Sequence, residues 1–378
     1  MMNWTILRWA APVVVVAAGL AAPAQAPTSL KDAFKNDFVV GVAINSAQIT
    51  GQDTRDDALV AAQFNSISPE NALKWENIHP QPGKYDFDLA DKYVAFGQTH
   101  RMFIVGHCLV WHSQTPAWVF HDDKGNLLDR DALLARMRDH ILTVVGRYKG
   151  RVQSWDVVNE ALNEDGTLRP SLWQKIIGDD FIEKAFQFAH EADPQAQLTY
   201  NDYNLDNEAK RIGAIALVKK LKADGVLITS VGMQDHDSLN WPKLENEDAA
   251  IAAFGAAGVK VAITELDINV LPPAGHRPTA DVSLKIEQNA AQNPYVNGLP
   301  DSVQQQLAAR YADLFRVFLK HRGVVMRVTF WGVTDGDSWL NDWPVRGRTN
   351  YPMLFDREGK AKPAFAALIR AATETAAH

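Results

Sequence analysis

Two glutamates pose the chemical question in this sequence. Glu160 follows Asn159 at the end of Ser154-Trp155-Asp156-Val157-Val158, a run that reads as a short buried strand with no breaker inside it. Glu265 closes a second apolar run, Val261–Glu265. A carboxylate at the mouth of a buried strand is costly unless it has partners or a task. Taken alone, Val158-Asn159-Glu160 reads equally as a capping or ion-pair glutamate that opens a loop. A pair of carboxylates flanking a bond is different, because glycoside hydrolysis needs one to protonate the leaving oxygen and another to attack the anomeric carbon. Those roles demand different protonation states, hence different surroundings. Asn159 is placed to hydrogen-bond a sugar hydroxyl, and His236 to support an ionised Glu265 by donating to it.

Such a pair must be positioned by the elements around it. Eight apolar runs read as strands: Phe38–Ile44, Phe64–Ser68, Phe103–His107, Ser154–Asn159, Gln197–Asn201, Ser230–Gln234, Val261–Glu265 and Arg327–Trp331. Helical patterns lie between them, among them Asp129–Tyr148, Asp179–Ala192, Asn207–Asp224, Glu247–Ala257 and Pro300–His321. The alternation predicts an α/β fold, a single (β/α)8 TIM barrel. A doubly wound sheet would want a Gly-rich phosphate turn after an early strand, and Gly41-Val-Ala-Ile-Asn supplies none. Active sites of such barrels lie at the C-terminal strand ends. Those ends carry Asn45; Glu70 and Asn71; His107; Asn159 and Glu160; Asn201 and Asp202; Gln234 and His236; Glu265 and Asp267; and Trp331. The fourth and seventh strands lie three apart in a ring of eight, so Glu160 and Glu265 face each other across the mouth.

Composition excludes other classes. The chain has 378 residues, 47% of them hydrophobic, enough for one large barrel or two ordinary domains. A net charge of −7 leaves no basic stripe for nucleic acid. Eleven Trp suit a surface on which sugar rings stack, and Trp111, Trp331 and Trp339 all follow strand ends, although any one of them reads equally as a loop anchor in the core. His107, His112 and His236 form no His-x-His and no His-Glu-x-x-His pattern, so neither a metal nor a cofactor is expected. Cys108, the only cysteine, permits no intrachain disulfide and reads as a small buried hydrophobe. The segment Leu271–Asp301, rich in Pro, Asn and Gly, reads as a functional excursion on the active face.

The N-terminus reads as a secretory signal peptide over 1–24: Arg8, the apolar run Ala10–Ala22, then Ala-x-Ala sites ending at Ala24 and at Ala26. Pro27 directly beyond the second site favours the first. Pro12 and Pro23 interrupt a run already too short for a comfortable span. The expectation is an exported protein, periplasmic or extracellular, with no membrane association after cleavage, monomeric, and one catalytic domain over 27–378.

Six motifs give this reading a family. Trp155-Asp-Val-Val-Asn-Glu160, Thr264-Glu-Leu-Asp267, Gly106-His-Cys-Leu-Val-Trp-His-Ser-Gln-Thr-Pro116, Thr329-Phe-Trp-Gly-Val-Thr-Asp335, Glu70-Asn71-Ala-Leu-Lys74-Trp75 and Gly232-Met-Gln-Asp-His236 resemble the glycoside hydrolase family 10 endo-β-1,4-xylanases over about residues 30 to 370. The resemblance implies endo-hydrolysis of xylan and xylo-oligosaccharides by a retaining mechanism, with Glu160 as acid/base and Glu265 as nucleophile. It implies that Asn159 binds the sugar 2-hydroxyl and that His236, with Asp267 behind it and Gln234 nearby, orients Glu265. His107, Lys74 and Trp111 would line the −1 site, and Glu70, Asn71 and Gln114 the sites toward the non-reducing end. Trp331 and Trp339 would roof them and crowd out a hexose hydroxymethyl. Tyr203 would stack on the leaving-group side. Cys108 stands where the family often has Thr, and the role of the Asp235–Trp241 loop stays open. The other readings are a mixed xylanase/β-1,4-glucanase of the same barrel type, told apart on carboxymethylcellulose, and a non-catalytic polysaccharide-binding relative, told apart by a reducing-sugar assay.

Overall fold

The computed structural model describes residue 1 and residues 29–273, 284–287 and 290–376, without the side chains of 375 and 376. The export segment, with both cleavage sites, lies outside the described residues, as do 274–283 and 288–289 of the long excursion.

Among the described residues nine strands form, β1 Val39–Ile44, β2 Ser66–Pro69, β3 Phe103–Trp111, β4 Ser154–Asn159, β5 Gln197–Asp202, β6 Ser230–Met233, β7 His236–Ser238, β8 Lys260–Asn269 and β9 Val325–Phe330. All pairings among them are parallel. Because β1 pairs with both β2 and β9, and β6 pairs with β8, eight strands close into a barrel. Helices cover its outside, so strands are buried on both faces and their sequences run apolar without alternation; every residue of β4 is buried. The helices begin where polar side chains can cap them. Asp129 accepts from Ala132 N ahead of Arg130–Arg147, and Asn207 accepts from Ala209 N ahead of Glu208–Ala223. In Arg130–Arg147 the inward stripe is Leu133, Met137, Ile141, Val144 and Val145, at helical spacing.

The expected barrel is present, and its strands differ from expectation at the active end. β3 runs on to Trp111 and β8 to Asn269, four residues beyond their expected ends in each case. Extra residues interrupt the register there: between His107 and Val110 against β4, at Val157 of β4 against β5, and between Ile263 and Leu266 of β8 against β9. Such bulges let a strand continue while re-aiming a side chain. The short β7, not expected from the sequence, continues the direction of β6 after a break at Gln234-Asp235, where Asp235 has φ 58°.

On the helical side of the barrel two histidines pair among aromatic rings. His79 and His140 face each other through their Nδ1 atoms at 3.3 Å, with His140 stacked on Trp75 at 3.6 Å and His79 on Tyr85 at 3.8 Å. Burial pushes His79 down to about 4 and His140 well below its ordinary value, so both are neutral.

Candidate active site

A cleft of about 500 Å³ opens at the C-terminal mouth of the barrel, and the structure brings to it all fifteen residues given a site role from the sequence, though not the strand-end residues Asn45, Asn201 and Asp202. It is built as two arms and a bridge.

The first arm carries Glu160, the residue directly beyond β4. Its φ of 57° is left-handed, a conformation that costs a residue with a side chain about 1–2 kcal/mol. The backbone holds it there, because Glu160 N donates to Asn201 O at 2.9 Å and Arg169 Nε donates to Glu160 O at 2.9 Å. The carboxyl, nearly buried, accepts from three neutral donors. Trp111 Nε1 reaches Oε2 at 2.9 Å, while Gln234 Nε2 and Asn159 Nδ2 reach Oε1 at 3.0 and 3.2 Å.

The second arm carries Glu265, inside β8 on its bulge. Its N–H donates to Gln234 O at 2.9 Å, and that of Asp267 to Asp235 O at 3.2 Å, so the break between β6 and β7 supplies the acceptors for the bulge. His236 stands between two carboxylates, with Nε2 3.2 Å from Glu265 Oε2 and Nδ1 3.2 Å from Asp267 Oδ2. Asp267 Oδ2 also accepts from Trp339 Nε1 at 2.7 Å, and Trp339 stacks on Trp343 at 4.7 Å. Burial works against a charge on His236, but Asp267 and then Glu265 outweigh it and push the imidazole up to about 10. Burial likewise works against the Glu265 charge. The hydrogen bond from His236, the nearby charges of His107 and His236, and the Asn201 amide hold it below the ordinary carboxylate value. At neutral pH the pair is therefore carboxylate and imidazolium.

Asn201 bridges the arms. Its Nδ2 donates to Glu265 Oε1 at 2.8 Å and to Asn159 Oδ1 at 2.9 Å, and Asn159 in turn touches Glu160. Thr264 Oγ1 donates to Asn201 Oδ1 at 2.6 Å, which fixes the orientation of the amide. The close approach needs Gly232, where a Cβ would meet Asn201 Oδ1 at 2.3 Å. Among the sequence readings Asn201 was a strand-end residue without a role. Its position on that rim was the available signal.

The remaining lining falls into two sides. Lys74 Nζ donates to Asn71 Oδ1 at 2.9 Å and Gln114 Oε1 at 2.8 Å, and lies 5.1 Å from the Trp111 ring. Burial pushes the Glu70 carboxyl up, against Lys74 and Asn71. His107 Nδ1 pairs with the buried Asp156 at 2.9 Å, and Trp331 lies edge-on to His107 at 5.5 Å. On the far side Tyr203 has Lys210 Nζ 3.4 Å from its ring centre. Trp241, Trp343 and Arg348 also line the cleft and were not singled out; the sequence gives them no strand end to mark them. Cys108 is buried beside the site, where burial pushes its thiol well up and leaves it a packing group. Among the described residues, no group of three or more His, Cys, Asp or Glu is arranged to hold a metal ion. A fixed carboxylate facing a second carboxyl on neutral donors is suited to nucleophilic attack paired with proton transfer.

The chain is also similar to known proteins. The family described as "Glycosyl hydrolase family 10" matches residues 29–371. Endo-1,4-beta-xylanase A of Xylanibacter ruminicola is 47% identical over 351 residues, 93% of this chain and 95% of that protein. A GH10 endoxylanase retrieved from a sugarcane soil metagenome superposes with a TM-score of 0.88 at 48% identity, covering 90% of this chain and 99% of that one. An intracellular xylanase of Thermoanaerobacterium saccharolyticum, solved as a mutant in complex with xylotriose, superposes with a TM-score of 0.78 at 37% identity, over 90% of this chain and 98% of that one.

Proposed function

This chain belongs to glycosyl hydrolase family 10, and from that premise we propose that it cuts internal 1,4-β-xylosidic linkages of xylan by a retaining, two-step displacement. In the first step Glu265 attacks the anomeric carbon while Glu160 gives its proton to the departing glycosidic oxygen. A glycosyl-enzyme forms and the leaving chain departs with that proton. In the second step Glu160, now a carboxylate, takes a proton from water, whose oxygen attacks the anomeric carbon and releases Glu265. Asn159 binds the 2-hydroxyl beside the cleaved bond, and His236 with Asp267 keeps Glu265 ionised and still. Lys74, His107 and Trp111 line the −1 site. Glu70, Asn71 and Gln114 take sugars toward the non-reducing end, Trp331 and Trp339 roof them, and Tyr203 stacks the leaving-group sugar. Gln234 serves Glu160 through the bond to Oε1, besides lying near Glu265.

One observation carries the reading: two opposed carboxyls, joined through Asn159 and Asn201, of which one is paired with a cation and the other accepts from an indole and two amides. The N–H donors on both oxygens of Glu160 suit the carboxylate form that activates water in the second step. The test is a product profile on arabinoxylan and glucuronoxylan. A ladder of xylo-oligosaccharides is expected from the first minutes. Release of xylose alone would overturn the endo character, and no reducing sugar at all would overturn the activity.

From the N-terminal segment 1–24 we further propose that the mature protein lies outside the cytoplasm, as a monomer with one domain over 27–378. Among the described residues no helix is long and apolar enough to cross a membrane. N-terminal sequencing of the protein recovered from the periplasm or medium should begin at Gln25. An unprocessed Met1 start, with activity confined to the cytoplasm, would remove the export proposal, and a dimer mass in light scattering would remove the monomer.

A further inference from the structure

Behind the Glu160 arm lies a side chain that the proposed mechanism does not use. After β4 the chain makes a hairpin, closed by the bridge between Leu162 and Leu168 and by Asn163 N donating to Thr167 O at 2.8 Å. Its tip rests directly on the helix Glu208–Ala223. Gly166 has φ 81°, and a Cβ there would meet Ala209 O at 2.4 Å. Glu164, near the tip, pairs with Lys210 Nζ at 3.1 Å.

Arg169 leaves this hairpin and folds back over its start. Its N–H donates to Ala161 O at 2.8 Å, its Nε to Glu160 O at 2.9 Å and its Nη2 to Leu162 O at 3.0 Å. One residue thus takes up three consecutive carbonyls, beginning with that of the left-handed Glu160. Nη2 also donates to the Tyr203 hydroxyl at 2.9 Å. A guanidinium suits this task, since its planar fork presents several N–H groups in fixed directions. Burial opposes its charge, but Tyr203, Asp202 and Glu160 hold its pKa above the ordinary value.

We propose that Arg169 is a positioning residue for proton transfer: it straps residues 160–162 so that Glu160 is aimed at the leaving oxygen, and ties that turn to the Tyr203 ring. The inference rests on Glu160 being the acid/base, and the two can fail separately. A mis-aimed acid harms a substrate in proportion to how much its leaving group needs a proton.

The test is kcat/KM, which reports the bond-breaking first step and not the base-assisted second, on aryl β-xylobiosides from 2,4-dinitrophenyl to 4-methylphenyl, with xylotetraose as the poorest leaving group. Arg169→Met should keep the dinitrophenyl rate within about threefold and lose about 10²-fold on xylotetraose, as expected for a misplaced catalytic group. Arg169→Lys should lie between Met and wild type. Equal losses across the series, or none, would overturn the proposal. Glu160→Ala is run beside them. If it too shows no dependence on the leaving group, the acid/base reading fails first and the Arg169 proposal with it. Should Arg169→Met not fold, seen as loss of every rate and of the thermal transition, Tyr203→Phe decides. It removes one anchor and keeps the ring, and it must show a weaker form of the same selectivity; a uniform effect counts against the proposal.

Discussion

The two arms of the cleft hold the same functional group in opposite ways. Glu265 lies within β8, hydrogen-bonded to its neighbours, with an imidazolium against its carboxylate. Glu160 lies one residue beyond β4 on a left-handed turn, and its carboxyl accepts from an indole and two amides. The proposed nucleophile must stay ionised and still, and a charged partner on a strand enforces both. The proposed acid/base must lose and regain a proton in each cycle, and its neutral donors hold the carboxyl in place. The histidines repeat the contrast. His236, between carboxylates, is driven to the charged form, whereas His79 and His140, facing each other among aromatic rings, are driven to the neutral form.

The largest expected effect breaks the comparison of the arms outright. Glu265→Ala should lose at least about 10⁴-fold in kcat on every substrate, because no activated leaving group replaces a nucleophile. Glu160→Ala should still form the glycosyl-enzyme from a dinitrophenyl xylobioside, and azide should speed its turnover. Identical profiles for the two variants would erase the division of roles. A smaller loss, about 10²-fold, is expected from Asn201→Ala, comparable to removing one catalytic hydrogen-bond donor. Since the amide touches Glu265 directly, activated and natural substrates should both suffer; a loss confined to xylan would make Asn201 a servant of Glu160 alone.

Titration sharpens the comparison. The His236 imidazole proton signals should stay in the charged form through neutral pH, with a midpoint of about 10. The folded value lies above the unfolded value of about 6.5, so this pairing stabilises the fold fully below that pH and is lost as pH rises through about 10. The depressed Glu265 contributes above its unfolded value of about 4.5, and its contribution is lost as pH falls through the lower folded value. A His236 midpoint near 6.5 would remove the charged relay. The smallest effect lies at the other histidines. With His79 at about 4, protonation favours the unfolded chain. Its contribution is whole above about pH 6.5 and shrinks as pH falls toward about 4. His79→Gln should leave activity at pH 7 unchanged and flatten the fall of Tm between pH 7 and 5. An unchanged slope would deny the pair its part in acid stability.

Much of this was legible in the sequence, and the reasons are physical. Strands buried on both faces leave continuous apolar runs, and the runs ending on Asn159 and within reach of Glu265 stand out because polar groups interrupt them at the rim. Composition and periodicity do not encode register. The bulges that let β3 reach Trp111 and β8 reach Asn269 therefore stayed hidden, as did the break at Asp235 that makes β7. The roles of Asn201 and Arg169 were missed for the same reason. Their roles come from contacts with residues 64 and 9 positions away, which only the closed barrel and the returning hairpin create.

The amide bridge has a consequence for engineering. The spacing between the two carboxyls decides whether the product keeps its anomeric configuration. Here that spacing is carried by short side chains rooted in β4, β5 and β8, while Lys74, Trp241 and Trp339 stand outside any strand. Exchanging rim segments should therefore alter which polymer fits and where it is cut, and leave the handedness of the chemistry alone. Proton NMR of the first sugar released by a loop chimera would still read the β-anomer.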